Sequence, residues 1–193
     1  MKILALNGSA RKDACTAFLL NTVLNSAKEM GAEVELEYIQ DAILECRVPF
    51  CVCCSGPCNQ SCYLGTKLEQ IFEKMCDADA IVIGSPSYFG TVSAQLKALF
   101  DKSGVMRAQR SFIGKLGGAV TVGAGRHGGQ QTTQRAIQDM MLVHGMVILG
   151  DSADFDDYGM GHQGVAAQSP AIEDAFAISR AKAMGRQLVK LLS

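Results

Sequence analysis

Five short apolar runs recur along the chain, at residues 3–6, 34–38, 80–84, 116–122 and 146–149, and each is followed by a break and a stretch with helical periodicity. Apolar runs of this length, bounded by Gly, Ser, Asn and Pro, fit strands of a sheet covered on both faces. Strands joined through helices run parallel, and the fixed hand of each crossover distributes the helices over both faces. The expected architecture is an α/β, doubly wound, five-stranded parallel sheet of order 2-1-3-4-5, in a single domain over residues 1–193. An irregular, cysteine-rich insertion at 41–65 follows the second strand, and an acidic, Gly-containing loop is expected at 151–164 before a closing helix over 170–192. Ligands of such sheets sit beyond the carboxyl ends of the strands, where the strand order reverses. The loops after strands one, three and four are the richest in glycine and polar residues, and all three fall on that rim.

The first of these loops lies in KILALNGSARKDACT, residues 2–16. A strand that delivers a Gly- and hydroxyl-rich turn to a helix N-terminus brings free N–H groups and the positive end of the helix dipole to one place. Ser9 and Thr16 add hydroxyl donors, and Arg11 adds a fork suited to phosphate. The loop lacks the lysine of the G-x-x-x-x-G-K-[ST] loop and the glycines of G-x-G-x-x-G, and an ordinary strand-to-helix turn uses the same residue types. In the second loop, Ser85-Pro86-Ser87-Tyr88-Phe89-Gly90, Pro86 fixes the chain, Tyr88 and Phe89 offer ring faces, and Gly90 permits close backbone approach to a flat ligand. The competing reading is a Pro-Gly turn with both aromatics in the core.

The third loop, Gly123-Ala124-Gly125-Arg126-His127-Gly128-Gly129, satisfies G-x-G-x-x-G but follows the fourth strand. The dinucleotide fingerprint belongs to the first, and no acidic residue stands at the expected distance: Asp139 lies in a helix and Asp151 comes too late. His127 reads as a solvated loop histidine, and His144 and His162 have no evident partner.

A net charge of −1 and a pI near 6.3 give no electrostatic case for nucleic acid or an anionic membrane. No apolar run approaches a membrane span, and Met1-Lys2 leads directly into a strand, so a cytoplasmic, reducing address is expected. Eight cysteines are unusual there and suggest metal or redox chemistry before disulfides. Cys51, Cys54, Cys58 and Cys62 run C-x2-C-x3-C-x3-C, with Cys53 interposed and Cys46 upstream. Four thiolates so close in sequence can wrap one compact iron–sulfur cluster. A zinc site draws its two knuckles from separated places, and the chain has no second pair. Zinc, redox thiols, and quartets that use Cys46 or Cys53 remain alternatives.

The three loop motifs, in order and with Lys97, Phe100 and Asp101 after the second, resemble those of the flavodoxin-like, NAD(P)H-dependent FMN reductases. The cysteine loop narrows the resemblance to the iron–sulfur flavoproteins, although one more residue stands between Cys54 and Cys58 than in their usual C-x2-C-x2-C spacing. The last forty residues match in general character alone. The resemblance implies FMN, with its phosphate at Ser9, Arg11, Cys15 and Thr16. It places the isoalloxazine ring against Pro86, Ser87, Tyr88, Phe89, Gly90, Gly123, Gly125, Gly128 and Gly129, and a [4Fe–4S] cluster on Cys51, Cys54, Cys58 and Cys62. The Cys15 thiol, at a helix N-terminus, is expected to be acidified, or to pack beside the phosphate.

The implied function is an FMN-dependent oxidoreductase that passes electrons between cluster, flavin and an external donor or acceptor. That partner is a small molecule or a protein, with NAD(P)H as a possible donor. A homodimer or homotetramer is implied, and no side chain is assigned as acid or base. The alternative enzyme is an NAD(P)H-dependent FMN, quinone or nitro-compound reductase without a cluster, its cysteines free or on zinc. A non-enzymatic electron carrier on the same fold is a third possibility.

Overall fold

The computed structural model describes residues 1–151 and 161–193. Strands β1 (Lys2–Asn7), β2 (Glu33–Tyr38), β3 (Ala80–Pro86), β4 (Leu116–Gly123) and β5 (Val147–Leu149) lie in the order β2-β1-β3-β4-β5, all parallel. Alternate residues of β1 face opposite layers, as a strand period of two requires. Ile3 and Ala5 pack with α1 (Cys15–Glu29) and α7 (Ala175–Leu192). Leu4 and Leu6 pack with α2 (Ile39–Glu45), α3 (Lys67–Asp77), α4 (Ala94–Lys102) and α6 (Gln130–Val143). The central strand β3 is buried along its whole length, as its unbroken apolar run foretells.

The structure departs from the sequence pattern in three places. The fifth sheet position is shared by two segments: β5 pairs with the start of β4, and β6 (Val165–Gln168) pairs with its end, Val120 against Val165 through Gly123 against Gln168. Four residues without alternation at a sheet edge carry little periodic signal. The closing helix consequently starts at Ala175, with Asp174 Oδ1 accepting from Ala177 N at 3.0 Å, after a 3-10 turn over Ala171–Glu173. In the insertion, α2 occupies the first residues read as irregular, because Ile39, Ala42 and Ile43 fall on one buried face. A further short helix, α5 (Gly104–Ala108), follows α4. Residues 152–160, most of the expected acidic loop, lie outside the described residues. Buried Arg180 of α7 holds buried Asp151 through Nε–Oδ2 at 2.8 Å and Nη2–Oδ1 at 3.1 Å. Among the described residues no helix is long and apolar enough to cross a membrane.

Candidate functional site

The first loop is built by its own side chains. Asn7 Oδ1 accepts from Ser9 N at 2.9 Å, and Ser9 Oγ accepts from Arg11 N at 3.1 Å, so two successive short-range turns swing the chain toward α1. The loop is clamped from below: Gly8 N donates to Gly84 O at 2.8 Å, and Ser93 Oγ donates to Gly8 O at 2.5 Å. Ser9 and Thr16 are buried and Arg11 is exposed. Helix α1 opens without a side-chain cap, Ala14 standing at the cap position, and without an acidic residue in its first turn. Asn7 Nδ2 is buried with no hydrogen-bond partner among the described residues. An uncapped helix N-terminus beside an unspent buried donor is a cradle for an anion, and the phosphate of FMN fits it.

Cys15 links the first loop to the far end of the chain. Its sulfur lies 3.5 Å from Ser169 Oγ and accepts from Ala171 N at 3.4 Å, tying the loop to the segment before α7. Burial alone would raise this thiol, but the Ala171 N–H, the Ser169 hydroxyl, its own N–H and Arg11 outweigh it and hold the pKa below the ordinary value.

The second and third loops form one unit. Ser87 Oγ donates to Gly128 O at 2.7 Å and accepts from Thr133 Oγ1 at 3.0 Å, while Thr132 Oγ1 donates to Gly90 O at 2.6 Å. Tyr88 and Thr91 exchange backbone hydrogen bonds across Phe89 and Gly90, both at positive φ (51° and 77°), which is the geometry of a tight turn. That turn carries Tyr88 and Phe89 out into solvent rather than into the core, with Pro86 buried beneath them. Gly129, at φ 84°, must be glycine twice over, since a Cβ there would stand 2.7 Å from Gly90 Cα. Buried Gln130 folds the glycine loop over its own side chain, donating to Gly125 O at 2.7 Å and Ala167 O at 3.2 Å. Gly123 lies under that amide.

Exposed Gly125, Arg126, His127 and Gly128 edge this rim. On its far side Arg126, His127, Gln130, Gln168, Ser169 and Phe176 line a cleft of about 780 Å³.

The cysteine loop leaves β2 and α2 and lies mostly in solvent. Cys51, Cys53, Cys54 and Cys58 are exposed, Cys62 is half-buried and Cys46 is buried, and none forms a disulfide. Among the described residues no three His, Cys, Asp or Glu side chains gather as a metal site. The donor chemistry nonetheless suits a thiolate-bound group, since buried Lys102 at the end of α4 donates to Cys62 Sγ at 3.2 Å. Cys46 Sγ donates instead to Ala42 O at 3.3 Å, and burial pushes its thiol up. Tyr63 packs edge-on against Phe72, fully buried, and its Oη has no hydrogen-bond partner among the described residues. Burial, then the nearby sulfurs of Cys58 and Cys62, keep that phenol protonated.

The structure thus brings the residues singled out after β1, β3 and β4 to one rim. It adds Asn7, Ser93, Gln130, Thr132 and Thr133 as the groups that hold them. Ser93 and Asn7 carry signals a sequence can show, as a helix cap and a strand-ending turn residue. Gln130, Thr132 and Thr133 carry none, because they reach Ala167 O, Gly90 O and Ser87 Oγ, all far away in sequence.

Known proteins resemble this chain over its whole length. An iron–sulfur flavoprotein of Methanocaldococcus jannaschii is 36% identical over 194 residues, covering 100% of this chain and 97% of its own. An iron–sulfur flavoprotein of Methanosarcina thermophila is 34% identical over 195 residues, covering 100% and 95%. A flavodoxin, WrbA-like protein from Agrobacterium tumefaciens superposes with a TM-score of 0.68 over 98% of this chain and 95% of its own, at 17% identity, a likeness of fold. Residues 1–186 match the family described as NADPH-dependent FMN reductase. The chain therefore has the flavodoxin-like fold and belongs to the NADPH-dependent FMN reductase family, a family of flavin-dependent oxidoreductases.

Proposed function

We propose that this chain is an FMN oxidoreductase that also carries a [4Fe–4S] cluster, and that it moves electrons between the two and an external donor or acceptor. The observation that carries the flavin half is the uncapped start of α1 beside the unspent Asn7 amide, at the switch point between β1 and β3. Ser9, Thr16, Arg11 and the first-turn amides hold the phosphate. The stitched pair of loops, with Pro86, Ser87, Tyr88, Phe89 and Gly90 on one side and Gly123, Gly125, Gly128 and Gly129 on the other, flanks the ring. Backbone amides there offset negative charge on the reduced ring. When bound, FMN supplies two-electron chemistry with release of single electrons, and a cluster handles one at a time.

Cys51, Cys54, Cys58 and Cys62 are the proposed ligands. They sit on the loop that leaves the rim end of β2, and the two relatives named iron–sulfur flavoprotein support the reading. NAD(P)H is the proposed donor, on the strength of the family. Eight cysteines without a disulfide support a reducing, cytoplasmic address. The exposed thiol loop and the solvent-facing Phe89 support a homodimer or homotetramer, in which one copy covers what another leaves bare.

The test is the visible spectrum of anaerobically purified protein, with iron, sulfide and zinc assayed on the same sample. Flavin bands over a broad shoulder with about four irons per chain are expected. Flavin bands with zinc or no metal would reduce the protein to a flavin reductase, and a chain that takes up no FMN would overturn both halves.

A further inference from the structure

Helix α4 buries Leu96, Ala98, Leu99 and Phe100, and then, at its last position, Lys102, which is 3% exposed. An ammonium so placed is strongly unfavourable unless a counter-charge meets it. Among the described residues no carboxylate pairs with Lys102; its hydrogen-bond partner is the sulfur of Cys62. The C-terminal end of the helix dipole favours a cation there but does not direct Nζ to a sulfur. A neutral thiol is a weak acceptor, whereas a metal-bound thiolate answers a buried cation well. Tyr63, next in the chain to Cys62, is buried, and its Oη has no hydrogen-bond partner among the described residues. A buried cation therefore stands against one half-buried cysteine, while the three other proposed ligand sulfurs lie in solvent.

We propose that Lys102 is a positioning residue for the group bound by the cysteine loop: it fixes Cys62 as the one ligand anchored to the folded core, and its charge favours the more negative, reduced state of that group. The inference rests on the cluster reading above. It also separates Cys62 from Cys46, whose sulfur is committed to Ala42 O. Lys102 lies nine residues along α4 from Ser93, about 13 Å at 1.5 Å per residue, so its charge acts on the cysteine loop far more than on the FMN cradle.

The experiment compares wild-type protein with Lys102→Met and Lys102→Arg, all purified anaerobically with FMN bound. Iron per chain is assayed, and the cluster is titrated with dithionite, one electron per cluster, under EPR, with the flavin followed optically. In Lys102→Met the cluster equilibrium is expected to shift roughly tenfold toward the oxidised state, about 59 mV for one electron. The flavin couple should stay in place, and Lys102→Arg should recover most of the shift. Folded Lys102→Met that has lost iron, beside Lys102→Arg that retains it, would equally support the anchoring role. A fully loaded Lys102→Met with the wild-type cluster potential would overturn the inference and leave the cluster reading standing. Wild-type protein without iron would overturn both. Should Lys102→Met fail to fold, Lys102→Gln carries the same measurements.

Discussion

Ser93 Oγ donates to the carbonyl of Gly8 at 2.5 Å and accepts from Leu96 N at 3.2 Å. One hydroxyl thus caps α4 and pins the first loop, eighty-five residues away in sequence. Ser93→Ala should cost about 1–2 kcal/mol in urea unfolding, as the loss of a helix cap does, and should also weaken FMN binding through a looser Gly8. Ser93→Thr keeps the hydroxyl and should recover both. Loss of stability with unchanged FMN affinity would show that the loop does not depend on this clamp.

Gly84, in the middle of β3, sits against the start of α1. A Cβ there would lie 2.7 Å from Leu20 Cδ1 and 2.8 Å from Thr16 Cγ2. Overpacking of this kind costs roughly 1–3 kcal/mol, and here it pushes directly on Thr16 in the proposed phosphate cradle. Gly84→Ala should therefore lower both the unfolding midpoint and FMN affinity. Gly104→Ala is the control, since nothing lies within 4 Å of a Cβ at Gly104. Equal behaviour of the two variants would contradict the close fit of α1 on β3.

What the sequence reveals and what it hides follow from the range of the interactions. Strands β1, β3 and β4 are legible because burial on both faces demands unbroken apolar runs, and crossover handedness puts the helices on both faces. The rim follows in turn, because loops after parallel strands share one edge. β6 is hidden because Val165–Gln168 has neither alternation nor length, and it becomes a strand by resuming the edge that β5 leaves beside β4. The stitching of Ser87 to Gly128 and of Gln130 to Ala167 is hidden for another reason: each bond ends on a backbone carbonyl far away in sequence, and any residue supplies one. Lys102 is hidden most completely, since at the end of an amphipathic helix a lysine reads as solvated.

His144 illustrates a titratable group that sequence gives no reason to notice. Ser103 Oγ spends its proton on Phe100 O at 2.7 Å, so His144 Nε2, 2.8 Å from that oxygen, must donate to it. The ring is the neutral Nε2–H tautomer, packed against Phe112 with centroids 5.0 Å apart, and burial, then Arg107, hold its pKa below the ordinary value. As pH falls through about 6.5 the unfolded chain takes up this proton and the folded one resists, so stability falls toward the folded pKa. Above about 6.5 the group contributes no pH dependence. Urea unfolding at pH 5 and pH 7.5 should show a loss at acid pH that shrinks in His144→Gln. An undiminished loss would assign the acid sensitivity to other groups.

Arg11 offers the most direct test of which part of the flavin the first loop holds. Its backbone N–H is spent on Ser9 Oγ, while its side chain is exposed, with no carboxylate paired to it among the described residues. A charge-assisted hydrogen bond to a phosphate is worth about 1.5–3 kcal/mol, so Arg11→Gln should weaken FMN by roughly ten- to a hundredfold. Riboflavin, which has no phosphate, should bind wild type and variant alike. The ratio of the two affinities, from quenching of flavin fluorescence, isolates the phosphate contribution from any change in loop shape. If both ligands weakened together, Arg11 would be a structural residue of the loop, and the phosphate would rest on the α1 amides with Ser9, Thr16 and Asn7.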